Sequence, residues 1–577
     1  NMIIGERNPF LYRNPDDPSA LPQVVLPNGG IYKLEQNNLQ SYYLRNALEY
    51  NKAFKDQDEQ DKHTLKLFLG QEFRYTDRDN QSFDGYGYQF NRGGVVFTDP
   101  RIIEKVIADN AQYFDRSTGR ERGVAFFSQA SYGFRNRYIL SGTLNYEGSN
   151  QLGRSRKARW LPTWNISGRW NVTNEHFLPT THALSNLSFR LSYGLIAGLN
   201  NIGNALPIMV STITPRFRNQ DNERLIRILS LQNSDLTWEK VYETNFGTDI
   251  GFLSNAISLS VDLYQKNSKD LLDIVRTSGM GGEMNKYAND ASMTTRGVEL
   301  VLDTRNFKTE DFTWSTSVNF AYFKQEITSL ANASNSVFNL VRETGGNVLG
   351  NPRNTLYSYD FAGLNSQGMP LLNLKNGSTD YKDIDFQDRD NILSYLKKEG
   401  AVDPNITVGL SNTFRYKNWE LNFLITMQAG NKIRKAPLYK GAGYDDLSVF
   451  PREFKNRWVA PGDEALTQIP GIVSQRTLNE ENKAYISRAY SAYNHSTARV
   501  VDGSFVRMKS ISLSYTFDKE VLENLNIGNL TLRLQASNPF LIYAHKDLNG
   551  QDPEFFRSGG VAYPITPQYT FTINLGI

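Results

Sequence analysis

Apolar and polar residues alternate through most of this chain. In the last segment Tyr569, Phe571, Ile573, Leu575 and Ile577 fall on one face, with Thr570, Thr572, Asn574 and Gly576 on the other. A period of two belongs to a β-strand with one greasy and one polar side. The same pattern sets Ile511, Leu513, Tyr515 and Phe517 against Ser510, Ser512, Ser514 and Thr516, and Leu530, Leu532, Leu534 and Ala536 against Thr531, Arg533, Gln535 and Ser537. Upstream, Val318, Phe320 and Tyr322 oppose Ser315, Ser317 and Asn319, and Leu187, Phe189, Leu191 and Tyr193 oppose Ser188, Arg190 and Ser192. Such runs predict about seventeen strands, most of the length that a tilted strand needs to cross a bilayer. They lie at 43–55, 62–76, 122–134, 136–149, 158–173, 185–196, 236–250, 253–270, 293–306, 311–326, 354–363, 369–374, 405–416, 419–430, 504–517, 529–540 and 567–577. The pair at 354–374 rests mainly on the turn Asn365-Ser366-Gln367-Gly368.

Counted back from the last strand, the connections alternate in length. Those at 541–566, 431–503, 375–404, 327–353, 271–292, 197–235, 150–157 and 77–121 share one end of the strands, and all but one are long. Those at 518–528, 417–418, 364–368, 307–310, 251–252, 174–184, 135 and 56–61 share the other end and are mostly tight. Transmembrane barrels have this asymmetry, with long extracellular loops and short periplasmic turns. The fold class expected is therefore all-β, an antiparallel transmembrane β-barrel with its C-terminus in the periplasm. Aromatic placement agrees: Tyr138 and Tyr146 bracket one strand, Trp314 and Tyr322 another, and Tyr515, Phe517, Tyr569 and Phe571 lie near strand ends, as an interfacial girdle requires. A soluble β-sandwich would bury its aromatics mid-strand.

Composition permits a membrane setting. Hydrophobic residues make up 39% and the mean hydropathy is −0.50, but a barrel strand shows lipid only every second residue. The sequence has no apolar run of the roughly 20 residues that a helical span needs. Its 63 basic and 60 acidic residues are interspersed, with no basic stripe, so nucleic acid is not an expected partner. With no cysteine and five scattered histidines, no disulfide, cysteine nucleophile, metal or cofactor is expected. Asn1–Arg7 lacks the basic and apolar regions of an export signal. A barrel must be exported, so a preceding segment is expected elsewhere.

Several stretches then carry a family resemblance. They are SYYLRNALEYNKAF (41–54), LFLGQEFRY (67–75), RYILSGTLNYEGSNQLG (137–153), WNISGRW (164–170), the run from Arg190 to Gly203, LTWEKVYETNFGTDIGFLSNAISLSVDLYQKNSKDLL (236–272), TTRGVELVLDTRNF (294–307), FTWSTSVNFAYFK (312–324), DGSFVRMKSISLSYTF (502–517) and LQASNPFLIYAHKDLNGQDPE (534–554). In order and number they resemble the SusC/RagA-type TonB-dependent outer-membrane transporters of Bacteroidetes. The resemblance implies a barrel of about 22 strands with a plug domain, in which residues 1–42 are an extracellular loop region and 43–577 the C-terminal portion of the barrel. The plug and TonB box would lie upstream. About seventeen strands alone would leave two unpaired edges in lipid, so an N-terminal barrel and plug segment, in this or another polypeptide, is expected to complete them. The end Leu575-Gly576-Ile577 departs from the aromatic on which many such barrels finish.

By the same resemblance, the function implied is import of an oligosaccharide or oligopeptide with a SusD-like surface lipoprotein and the TonB complex. A passive porin and a soluble glycan-binding adhesin are the competing readings; an enzyme is not expected. The loop bearing Tyr86, Tyr88, Phe90, Asn91 and Arg92 offers stacking faces and amides to substrate, or packs on its neighbours. In the longest loop, Arg452, Trp458, Tyr490 and Tyr493 are candidate contacts for the lipoprotein. The acidic run 380–390 lacks the glycine and terminal glutamate of a calcium loop. Asp445 and Asp446 have no convergent base or nucleophile, and the glycine-rich 345–350 is read as a flexible loop tip.

Overall fold

The computed structural model describes residues 30–55, 61–94, 100–101, 114–150, 159–178, 183–198, 208–215, 222–230, 236–276, 285–330, 337–375, 377–386, 391–439, 450–473, 483–523, 527–554 and 566–576, with isolated positions between 11 and 24. Among these, no helix is long and apolar enough to cross a membrane.

Alternation becomes one antiparallel sheet of 15 strands. We number them β1 (Gly30–Lys55), β2 (Asp61–Tyr88), β3 (Phe114–Phe134), β4 (Tyr138–Ser149), β5 (Trp160–Asn171), β6 (Leu184–Gly198), β7 (Glu239–Phe252), β8 (Ile257–Arg276), β9 (Asn285–Lys308), β10 (Phe312–Leu330), β11 (Ile406–Tyr416), β12 (Trp419–Ala429), β13 (Phe505–Thr516), β14 (Asn529–Ala544) and β15 (Gln568–Gly576). Each pairs with the strand before and after it, so β1 and β15 form the edges. The hairpin turn between β3 and β4 holds Arg135 and Asn136 at φ 48° and 53°, backbone suited to the right-handed twist of paired strands.

Register settles which face is which. Leu191 pairs with Phe246, Phe246 with Leu263, Leu263 with Val298 and Val298 with Tyr322, a continuous apolar row across β6–β10. Among the described residues no protein core covers these side chains: Leu191, Phe246 and Leu263 are exposed, as are Leu513, Leu534 and Ile573 on the last three strands. Near the short turns the same face carries the ring pairs Tyr138–Trp170, Trp314–Phe414 and Trp419–Tyr515, with centroids 6.4, 5.5 and 4.8 Å apart. Asn412 shares this outer face, where its Oδ1 accepts from Trp314 Nε1 at 2.9 Å and Thr316 Oγ1 at 2.7 Å, leaving that oxygen satisfied among apolar neighbours.

Two of the expected strands lie outside the sheet. Thr355–Tyr359 pairs with Leu396–Ala401, and Phe361–Leu364 with Pro370–Leu372, in separate two-stranded sheets. The physical reason is burial, because all five residues of Thr355–Tyr359 are covered and neither face is left for lipid. Losing two strands together leaves the alternation of ends intact. The first strand also begins at Gly30, where a loop was expected through residue 42, and β2 runs on to Tyr88. At about 3.3 Å per residue, its 28 residues reach roughly 90 Å along the strand, against the 9–11 or so that a bilayer requires. The β1–β2 ribbon therefore extends well past any membrane band.

At the long-connection end, the described residues of 337–405, 430–504 and 545–554 pack into a cap. One apolar cluster joins Leu340, Tyr357, Tyr359, Leu372 and Ile392 to Ala492; a second joins Leu438, Tyr439, Phe454, Ile486, Tyr490 and Tyr493; a third joins Ile433 and Val501 to Leu548. The helix Lys483–Asn494 contributes to the first two clusters. The stretch 345–350 is a held turn, with Gly346 and Thr355 exchanging backbone hydrogen bonds of 2.9 and 3.0 Å.

Candidate functional site

Opposite the apolar face lies the inner, polar face. Close to the short turns, Arg190 donates to Asp249 Oδ1 at 3.0 Å, Asp262 Oδ2 at 3.1 Å and Ser260 Oγ at 3.2 Å. Arg169 reaches Asp249 Oδ2 at 3.3 Å and Ser188 Oγ at 3.0 Å, while Ser260 and Ser188 donate to the same carboxylate at 2.7 and 3.1 Å. Four strands, β5 to β8, supply this network. On β1–β3 the inner face adds Tyr43 donating to Glu72 Oε2 at 2.9 Å, and Arg45 lying 4.7 Å from the centre of the Phe127 ring. The arrangement is a wall with one lipid-compatible side and one polar, charged side.

The cap is held by buried polar groups. Arg434 donates to Ser496 O at 3.1 Å, Tyr357 O at 2.7 Å and Ser358 Oγ at 3.0 Å, tying three segments together. Burial pushes its guanidinium down to about 10, so it stays charged at neutral pH. Glu453 receives Arg499 at 2.7 Å and Lys435 at 2.8 Å. Burial opposes its charge, but Arg499 and Lys435 outweigh that and hold the carboxyl below its ordinary range. Arg507 of β13 pairs with Asp552, and Lys509 with Glu554 at 2.9 Å, which fastens the third segment to the sheet.

Candidate residues separate into three groups. Tyr86 and Tyr88 sit in β2 rather than in a loop, with Tyr88 stacked on Tyr32 at 5.0 Å and edge-on to Phe90 at 4.6 Å. Phe90 is 79% exposed at the turn Phe90–Arg92, and Asn91 is exposed beside it; the side chain of Arg92, like Asp445, Asp446 and 387–390, lies outside the described residues. Tyr490 and Tyr493, candidate partner contacts by sequence, instead pack inside the cap. Each is 1% exposed within the cap, so a partner has nothing of them to touch; Tyr490 donates to Gly471 O at 2.6 Å, and Tyr493 meets Phe361 edge-on. Trp458 is also a packing residue: a Cβ on Gly368 or Gly471 would lie 2.4 or 2.6 Å from its ring, and its indole N–H donates to Glu464 at 3.0 Å. Arg452 is exposed on the turn Arg452–Asn456. Sequence reasoning missed the inner-face network, whose members are single residues on separate strands, and the outward Val459 and Leu466 on the segment 450–473.

Known proteins resemble this chain in sequence and fold. The profile of the family described as TonB dependent receptor-like, beta-barrel matches residues 7–429. A TonB-dependent receptor of Formosa agariphila is 25% identical over 96% of this chain and 54% of its own length. The TonB-dependent receptor SusC of Bacteroides thetaiotaomicron is 25% identical over 86% of this chain and 47% of its own. The chain thus spans about half the length of the curated relatives it matches. The solved structure of the RagAB peptide transporter superposes with a TM-score of 0.74 at 22% identity, over 94% of this chain and 56% of that one, a likeness of fold. By the match of its sheet and its sequence together, the chain belongs to the TonB-dependent receptor-like β-barrel family of the outer membrane, and within it to the SusC/RagA type.

Proposed function

We propose that this chain forms the wall and outer cap of an importer, which takes an oligosaccharide or oligopeptide across the outer membrane with force delivered through TonB and with a SusD-like surface lipoprotein. One observation carries the reading: a sheet apolar on one face and polar on the other, with a folded cap over one end. In this reading the cap faces the cell exterior and the short turns and C-terminus face the periplasm, following the barrel asymmetry of loops and turns. Among the described residues, edge strands β1 and β15 each lack a second neighbour in the sheet, and unpaired strands are not tolerated in lipid. Further strands and a plug complete the barrel.

The segment 450–473 is the proposed lipoprotein contact. Its Val459 and Leu466 stand out at 68% and 85% exposure, close in sequence to Arg452, on a loop stiffened by Asp463 accepting from the Val459 and Ala460 amides at 3.0 Å each. An exposed apolar pair on a rigid loop, with an arginine close by in sequence, suits a partner-facing surface. Phe90 and Asn91, at the end of the β1–β2 ribbon, together with Arg92, are proposed substrate contacts. Uptake by cells tests the function: growth on the imported nutrient is expected to need both this protein and TonB. Uptake that persists without TonB would indicate a passive porin, and release from membranes by carbonate without detergent would indicate a soluble adhesin. Replacing Val459 and Leu466 with Asp is expected to weaken co-purification of the lipoprotein by more than about tenfold, on the scale of losing a central interface anchor.

A further inference from the structure

We propose that the inner wall of β2–β6 carries a subsite for a neutral, polyhydroxylated ligand, an uncharged oligosaccharide segment; the proposal rests on the importer reading and narrows its substrate. A cavity of about 340 Å³ opens there, toward the end of the strands that bears the long connections. Its polar lining falls on two adjacent rungs of the sheet. Gln129, Thr143 and Asn165 pair across β3, β4 and β5 on one rung, and Phe127, Asn145 and Thr163 on the next, with Glu147 beyond them.

These polar groups are uncommitted. Among the described residues, the side chains of Gln129, Thr143, Asn145, Glu147, Thr163 and Asn165 make no hydrogen bond to the rest of the chain. The contrast with the network a few residues along the same face is sharp, since there Arg169, Arg190, Asp249, Ser188 and Ser260 are all paired with one another. A second observation lies at the same cavity. Trp238, just before β7, lines it and is 6% exposed, yet its indole Nε1–H has no acceptor among the described residues. A buried donor without a partner is costly, and a ligand oxygen in the cavity would supply what it lacks.

The chemistry of the lining selects the ligand class. Amide and hydroxyl groups donate and accept together, as sugar hydroxyls do, and the Phe68 and Phe127 rings, stacked at 5.6 Å, add an apolar face for sugar C–H groups. A peptide brings a terminal carboxylate that asks for a cation. Among the described residues the lining has a carboxylate, Glu147, and no lysine or arginine; Arg45 lies over the Phe127 ring outside it.

The test uses the full-length protein purified with its lipoprotein in detergent. It is offered a pool of neutral gluco- and fructo-oligosaccharides and, separately, a pool of tryptic peptides, with retained material read by mass spectrometry and affinity by titration. Saccharide retention is expected. Trp238→Phe, which keeps a ring and removes the N–H, is expected to weaken it about three- to tenfold, the scale of one lost hydrogen bond, and Asn145→Leu with Thr163→Val by more than about tenfold. Heat-modifiable gel mobility checks that each variant folds. Preferential retention of peptide, unchanged saccharide affinity in both variants, or retention of neither pool by a protein that still supports TonB-dependent uptake would overturn the subsite. If the unaltered protein supports no uptake at all, the importer reading itself fails.

Discussion

Arg434 holds the cap through neutral acceptors, two backbone carbonyls and one hydroxyl. Hydrogen bonds to a charged group contribute about 1.5–3 kcal/mol each, but relief of guanidinium burial offsets part of their loss. We expect Arg434→Met to destabilise the cap by about 2 kcal/mol, read as faster amide exchange at 355–359 and 496–499 with the sheet unchanged. His495 is half-buried at the end of the cap helix, and burial pulls its imidazole below its ordinary value. Because the folded state favours the neutral ring, its contribution is fully present above about pH 6.5 and is lost as pH falls through the lower folded value. Glu453, also held low, contributes fully above about pH 4.3 and loses its contribution as pH falls further through its depressed value. Both act in one direction, His495 first. Amide exchange across 483–499, corrected for its intrinsic pH dependence, is expected to quicken between pH 7.5 and 5.5, and His495→Gln to blunt that change.

At the scale of the strand, face decides the effect of a substitution. Leu513 sits on the outer face between Leu421 and Leu534, and Ser512 on the inner face between Asn422 and Gln535. Leu513→Arg is expected to destabilise the folded barrel in lipid by about 2–4 kcal/mol if near the bilayer midplane, whereas Ser512→Arg is tolerated. Urea unfolding in vesicles distinguishes them. This two-residue period made the fifteen sheet strands legible, because lipid on one side and water on the other write their difference into alternate residues. Where that difference ends, legibility ends. Gly30–Ser41 reads as Leu34-Glu35-Gln36-Asn37-Asn38 because the ribbon there stands beyond the lipid band, with nothing to select an apolar face. Thr355–Tyr359 failed for the opposite reason, being covered on both sides. Tyr490 and Tyr493 carried a signal that was open to reading: Ile486, Tyr490 and Tyr493 recur at helical spacing, the mark of a buried stripe. The inner-face polar groups were visible as residues, but which of them pair and which stay uncommitted depends on register across strands.

At the scale of the whole molecule, the proposed import path runs past the folded cap and along the polar inner face of the 15-stranded sheet. Loss of the cap contacts and loss of the wall act at different steps. Substitutions at Val459 and Leu466 are expected to lower partner retention while leaving the barrel folded, and those at Trp238 to lower ligand affinity while leaving the partner bound. Both readings depend on the orientation of the two faces. This chain has no cysteine, so single cysteines placed along β10 of the full-length protein, in a cysteine-free background, report that orientation directly. In intact outer membranes, a membrane-impermeant thiol reagent is predicted to label cysteines at Ser315, Ser317 and Asn319 and to spare those at Val318, Phe320 and Tyr322. Uniform labelling, or labelling of the second set in place of the first, would contradict the account.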